Sequence, residues 1–390
     1  MSSLCLRGLT WNHSRALPPL VAASQRYEEL HPQTRIVWEK RSLDDFGHAS
    51  LASLARSYDL LIIDHPMLGE VHRDGTLIDL LPHLQPAAVA QLEADALGPC
   101  LESYRYEDSL YALPVDAAAP AASYRADLLE RNEQKVPTSW DELIELARSG
   151  LVRMPGFPAD LFLNFMGMCV SRGGMRASRE VLFDSAVAAQ CLEEFRELAS
   201  LMPPEIYAMN PIDIYEAMTS GNDFAYCPFA YTYSNYSRPG FAAQTLLFSN
   251  PVTLRGEVPL RTVLGGTGIA VSANCAHQEA AIDFSLFVSD AACQSHIYGV
   301  CGGQPASRAA WHDLLLNEVS NQFFERTVAS IEAAYVRPRY AGYIELQRTA
   351  GEAIAAYLQN QITATEALHR LEHLYQSSLA GERRQTESAQ

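Results

Sequence analysis

The side chains with chemistry to offer stand where short apolar runs end. Trp11, Asn12 and His13 follow the run Leu4 to Thr10, and Glu39 closes Arg35–Glu39. Asp64 and His65 follow Leu60–Ile63, and Asp116 stands in the otherwise apolar Val-Asp-Ala-Ala-Ala-Pro. Histidine moves protons near neutral pH, and an enclosing site shifts the pKa of a neighbouring carboxylate. If the chain is a catalyst, His13, His65 and Asp116 are its acid–base candidates, for a lyase, isomerase or hydrolase reaction. The same set can instead hold a ligand, with Trp11 stacking on a ring and the polar groups bonding its hydroxyls. Plainer readings stand beside these. Trp11 could be edge packing, Glu39 a surface charge, Asp64 a turn cap, and Asn12 and His13 turn residues.

Gly265 and Gly266 join the list because a backbone without side chains lets a ligand approach. The stripe Tyr226, Tyr231, Tyr233, Tyr236 suits stacking on a ring or core packing, and Tyr231 is its candidate for the ligand. Arg337 and Arg339 could grip a carboxylate or fix the last helices. Metal capture by His13, Glu39, Asp64 and His65 is a weaker reading, and no metal or cofactor is expected.

These positions gain meaning from the elements that must present them. Strand, helix, strand, helix, strand is the order of signals in the first 115 residues: Leu4–Thr10, Leu17–Leu30, Arg35–Glu39, Leu51–Ser57, Leu60–Ile63. That alternation predicts an open parallel α/β sheet, whose ligands gather at the carboxyl ends of the strands. Pro137–Leu143 carries a Ser or Thr cap followed by acidic residues, a strong helix start. Thr262–Ser272 reads as a returning strand, and the chain beyond Ala280 is mostly helical.

At 390 residues the chain exceeds one hydrophobic core, so two lobes are expected. A formal net charge of −17 disfavours nucleic acid and anionic lipid. No apolar run of roughly 18 residues appears, so no membrane insertion is expected. The N-terminus lacks the charged, apolar and small-residue parts of a secretory leader. Either a leader has been removed and the protein is periplasmic, or it stays in the cytoplasm. The eight scattered cysteines show no CxxC or zinc spacing, and a reducing compartment is their simpler reading.

Read in order, the segments resemble a family. Leu20–Pro32 with Arg35–Glu39, Tyr58–Asp64, Gly75–Leu81, Ser109–Val115, Ser123–Leu129, Pro137–Leu143, Gly265–Ser272, Ala280–Ser289 and Gly302–Arg308 are similar, piece by piece, to the family 1 solute-binding proteins of bacterial ABC transporters. The resemblance implies a periplasmic-binding-protein-like type II fold, a Venus flytrap of two α/β lobes, each a mostly parallel sheet flanked by helices. It implies a first lobe of residues 1–115 plus 265–310, a second of 116–264 plus 311–380, and a flexible tail at 381–390. A small polar ligand, sugar-like or carboxylate-bearing, would lie between the lobes, and an ABC permease is the implied partner of a monomer. The alternative is a cytoplasmic enzyme on the same scaffold, because fold alone does not decide function.

Overall fold

The computed structural model describes residues 4–42, 51–178 and 181–388. Its principal strands are β1 (Leu4–Trp11), β2 (Thr34–Arg41), β3 (Leu60–Ile63), β4 (Leu113–Ala118), β5 (Pro120–Tyr124), β6 (Tyr226–Tyr231), β7 (Leu247–Ser249) and β8 (Gly265–Val271). The chain divides into two compact units. Unit 1 comprises residues 1–118, 233–235 and 264–325; unit 2 comprises 119–232, 236–263 and 326–390. Four stretches thus lie elsewhere than expected: 116–118, 233–235, residue 264 and 311–325 cluster with unit 1.

Unit 1 is built on a five-stranded sheet in the order β2-β1-β3-β8-β4. β1 pairs in parallel with β2 and β3, while β8 runs antiparallel to both β3 and β4. Four strands therefore point one way and β8 the other. The sequence explains this layering. β3 and β4 are buried at every position, as continuous apolar runs must be when helices cover both faces. Helix Leu17–Leu30 buries Leu20, Ala23, Ser24 and Tyr27, the three- and four-residue spacing of one helical face. Ser24 also accepts a 2.8 Å hydrogen bond from the Trp38 indole, tying that helix to β2.

Register then fixes which residues share an edge. Leu9 lies beside Leu61, Ile63 beside Gly268, and Asp116 beside Thr267. The ends of β1, β3 and β4 and the start of β8 consequently form one edge of the sheet, with β4 pinned against β8. Gly266 sits there with φ +100°, and a Cβ would fall 2.2 Å from the Asp116 carbonyl oxygen.

Unit 2 differs from expectation. Its sheet has three strands in the order β6-β5-β7, both pairings antiparallel, so the mostly parallel sheet expected for each lobe holds for unit 1 only. Helices supply the bulk of its core, with Trp140, Phe162, Phe165, Leu192, Phe195, Ile354 and Tyr357 at most 1% exposed. Helix Trp140–Arg148 begins where the capping residues predict: Ser139 accepts from the Glu142 N–H, and Glu142 reaches back to the Thr138 N–H at 2.7 Å. The last helix, Ala364–Ser388, runs on through residues read from sequence as a flexible tail. A polar, charged composition reads as frayed chain but is also compatible with helix, since Glu, Arg and Gln are good helix formers.

The contact at Gly266 generates a prediction. Gly266→Ala combines a left-handed backbone with a clash against rigid main chain, and should cost roughly 2–4 kcal/mol. Chemical denaturation measures it; unchanged stability would mean β4 and β8 can separate freely.

Candidate functional site

The carboxyl edge of the unit 1 sheet carries a compact polar and aromatic cluster. β1 ends at Trp11, and the chain then turns through Asn12, His13 and Ser14 into Arg15. Arg15 is 4% exposed and Asp116, on β4, is 3% exposed. They form a bidentate pair, with Arg15 Nε 2.9 Å from Oδ2 and Nη2 2.7 Å from Oδ1. Burial holds the Asp116 carboxyl above its ordinary value, although the facing guanidinium pulls it down. Arginine does not give up its proton in such a setting, so the pair is ionised and internally neutral.

Aromatic rings enclose the guanidinium. Its carbon lies 4.5 Å from the Tyr233 ring centroid and 5.2 Å from that of Trp11. His13 stacks on Trp11 with centroids 5.2 Å apart and 16° between planes, and meets Tyr233 edge-on at 4.8 Å. Tyr233 belongs to the short segment 233–235 that clusters with unit 1. Gln304 fastens this segment: its side chain accepts from the Ser234 N–H at 2.9 Å and donates to the Ala117 carbonyl at 2.7 Å. Its carbonyl also accepts from the Ala117 N–H at 2.9 Å, and its backbone helps to lower the Asp116 carboxyl.

His13 is set for donation. The Arg15 backbone N–H donates to its Nδ1 at 2.9 Å, so the neutral ring carries its hydrogen on Nε2. Burial, reinforced by the Arg15 charge, lowers its pKa to about 4. At neutral pH this histidine is an uncharged hydrogen-bond donor.

The remaining candidates divide. Asp64 caps the turn after β3 by accepting from the His65 N–H at 2.8 Å, and its Oδ1 lies 3.3 Å from His65 Nδ1. His65 is fully buried, edge-on to Tyr104. Asp64 is near enough to Asp116 for its charge to raise that carboxyl. Trp11, at 3% exposed, is packed within the cluster, whereas Asn12 is exposed and donates its backbone N–H to the Arg41 carbonyl. Glu39 forms a surface triad instead, with Arg7 at 2.7 Å and the Tyr58 hydroxyl at 2.8 Å. Gly265 and Gly266 pair with Ala118 and Ala117, and the second glycine is demanded by β4 packing. Tyr231 belongs to unit 2, where its carbonyl accepts from Tyr215 at 3.1 Å.

Arg15 and Gln304 were not anticipated. Arg15 follows Asn-His-Ser and reads as a loop charge; the signal that could have found it is Asp116 itself, because a carboxylate in an apolar strand demands a cation.

The profile of the family described as bacterial extracellular solute-binding protein matches residues 22–310. No curated protein matches the chain in sequence. Solved structures similar in fold include maltose-bound MalE3 of T. maritima, with TM-score 0.82 and 19% identity over 96% of this chain and 99% of that one. A solute-binding protein of Agrobacterium radiobacter in complex with ribitol gives 0.78 and 19% over 96% and 98%. One from Thermotoga lettingae bound with α-D-tagatose gives 0.80 and 16% over 97% and 100%.

Two outcomes are expected of the cluster. Arg15→Met should cost about 3–5 kcal/mol by stranding a buried carboxylate, and adding Asp116→Leu should restore much of that loss. An unfolding series on the three proteins measures this, and equal losses in single and double variants would contradict it. In an NMR titration the His13 ring should stay neutral down to about pH 4. The unfolded chain protonates this histidine near 6.5, so stability falls as pH drops from 6.5 toward 4. A His13 midpoint near 6.5 in the folded protein would contradict the described environment.

Proposed function

The chain belongs to the bacterial extracellular solute-binding proteins, and from that premise we propose that it binds a neutral polyhydroxylated molecule, a sugar or sugar alcohol, at the carboxyl edge of the unit 1 sheet. The observation that carries this reading is electrostatic closure. The buried guanidinium of Arg15 is already satisfied by Asp116 through two bonds, and His13 is uncharged. A carboxylate ligand would have to compete with Asp116 for that guanidinium and leave one anion unpaired. Hydroxyl groups instead suit an Nε2–H donor, carboxylate lone pairs and aromatic ring faces. The maltose, ribitol and tagatose in the similar structures are ligands of this chemical kind.

Acid–base catalysis draws less support. A histidine with a pKa of about 4 is a poor general base at neutral pH, and Asp116 is engaged at both oxygens. Among the described residues no helix is long and apolar enough to cross a membrane. Delivery to an ABC permease, and a periplasmic or extracellular site of action, complete the proposal on the strength of the family.

Calorimetry against a panel of maltose, ribitol, mannitol and tagatose beside small carboxylic acids tests the reading. At least one neutral polyol should bind with micromolar affinity or better and be recovered unchanged. His13→Ala and Tyr233→Ala should each weaken it about tenfold, the worth of one good contact. Binding confined to the acids, or conversion of a bound compound, would overturn the proposal.

A further inference from the structure

Helix Pro86–Asp95 of unit 1 buries none of its residues fully, although Ala88 and Leu92 stand one turn apart on one of its faces. Its carboxyl end is tied down. The Leu97 N–H donates to the Ala306 carbonyl at 3.1 Å, the Ala309 N–H to Asp95 at 2.9 Å, and Arg308 to the Ala96 carbonyl at 3.0 Å. Between that face, Pro114 of β4 and Leu286 of helix Gln278–Ser289 lies a cavity of about 190 Å³. Its walls include none of Trp11, His13, Arg15, Asp116 and Tyr233. Ser289 lines it, is 7% exposed, and among the described residues its hydroxyl has no hydrogen-bond partner. A buried hydroxyl in that state is costly, and an occupant of the cavity that bonds it removes the cost. Asp95 and Asp290 line the cavity too. Each spends Oδ1 on a backbone N–H, that of Ala309 and that of Ala292, both at 2.9 Å. Asp290 Oδ2 meets the Gln91 amide at a long 3.4 Å, and Asp95 Oδ2 meets no donor among the described residues. Gln91 and Asp95 are one helical turn apart, so both carboxylates stand near that amide.

We propose that this cavity binds a primary ammonium carried on a short aliphatic chain, at a second site separate from the one proposed for the polyol. An ammonium has three N–H donors, and Ser289, Asp95 and Asp290 offer it oxygens with lone pairs to spare. The aliphatic part packs on Ala88, Leu92, Leu286 and Pro114. The volume lies below the roughly 300–1,000 Å³ of a drug-sized site, so the occupant is small. Charge selects among small molecules. Two carboxylates in the wall repel an anion, and a neutral alcohol satisfies Ser289 while leaving both carboxylates without a counter-charge. The formal charge of −17 favours the approach of a cation over that of an anion.

Calorimetry on the full chain tests the site, with n-butylammonium chloride as the probe and butan-1-ol as its uncharged counterpart. The ammonium should bind saturably at one site, about tenfold or more tighter than the alcohol. Asp95→Asn keeps the acceptor for the Ala309 N–H and removes the charge, and should weaken the ammonium about tenfold. Ser289→Ala should weaken it about threefold or more. Ala88→Phe fills the cavity and should abolish binding. If that variant fails to fold, the other two carry the comparison. Polyol binding and its dependence on His13 should be the same in all three variants, so failure here is distinguishable from failure at the sheet edge. Undiminished ammonium binding in Ser289→Ala or Asp95→Asn would overturn the proposal. So would butan-1-ol binding as tightly as the ammonium, or no saturable binding of the ammonium at millimolar concentration.

Discussion

The buried pair of Arg15 and Asp116 is the constraint around which the polar edge of unit 1 is arranged. Two charges removed from water cost several kcal/mol each, and the cost is offset only where geometry is tight and remaining lone pairs are met. Here the guanidinium meets the carboxylate through two bonds, and the Gln304 backbone also favours the ionised carboxylate. The pair obliges the turn after β1 to close onto β4. Gly266 permits β8 to lie against the Asp116 carbonyl, and Gln304 holds the Tyr233 segment over the guanidinium. Removing either charge would leave the other buried without its principal counter-charge.

What this pair does to the chemistry of the edge follows from its neutrality. The whole chain carries a formal charge of −17, yet the cluster presents a cancelled ion pair, an uncharged histidine and aromatic faces. A surface so acidic overall gives anions no long-range attraction, and at short range the Arg15 guanidinium is already bonded to Asp116. His13 owes its neutrality first to burial, and Arg15 acts on the ring twice over. The Arg15 backbone N–H occupies Nδ1, and the side-chain charge opposes protonation. A single residue therefore selects the tautomer and the direction in which the ring can donate, and adds to burial in setting the charge state.

Much of this was legible in the sequence, for reasons that differ between residues. Asp116 announced itself as a carboxylate in an apolar run, where desolvation demands an explanation. His13, Asp64 and His65 were located by the rule that parallel strands present their carboxyl ends together, and register brings those ends to one edge. Arg15 was not legible, since a cation in a turn is normally solvated and its burial depends on a partner 101 residues away. Glu39 obeys the same strand-end rule but sits on β2, at the sheet's margin, where Arg7 and Tyr58 engage it. Gly266 was found for a different reason from the one the structure gives. Sequence reports that a side chain is missing, while only the approach of β4 reports why.

The contrast between the two sheets explains why the strand-end rule served unit 1 and not Tyr231. Four co-directional strands gather their carboxyl termini, so residues far apart in sequence converge without any local signal linking them. In unit 2 the strands pair antiparallel, and each edge of the sheet mixes strand starts with strand ends. No edge there collects polar termini, and β6 accordingly buries nearly every side chain it carries. The polar links of unit 2 join helices and loops instead, as Arg172 does with Glu194 and Arg125 with Asp127 and the Met218 carbonyl. Such links arise from helix register and chain reversal, which a period-two pattern does not encode. A tyrosine stripe on an antiparallel strand is therefore evidence about packing first, and Tyr233 differs because its segment leaves β6 and clusters with unit 1.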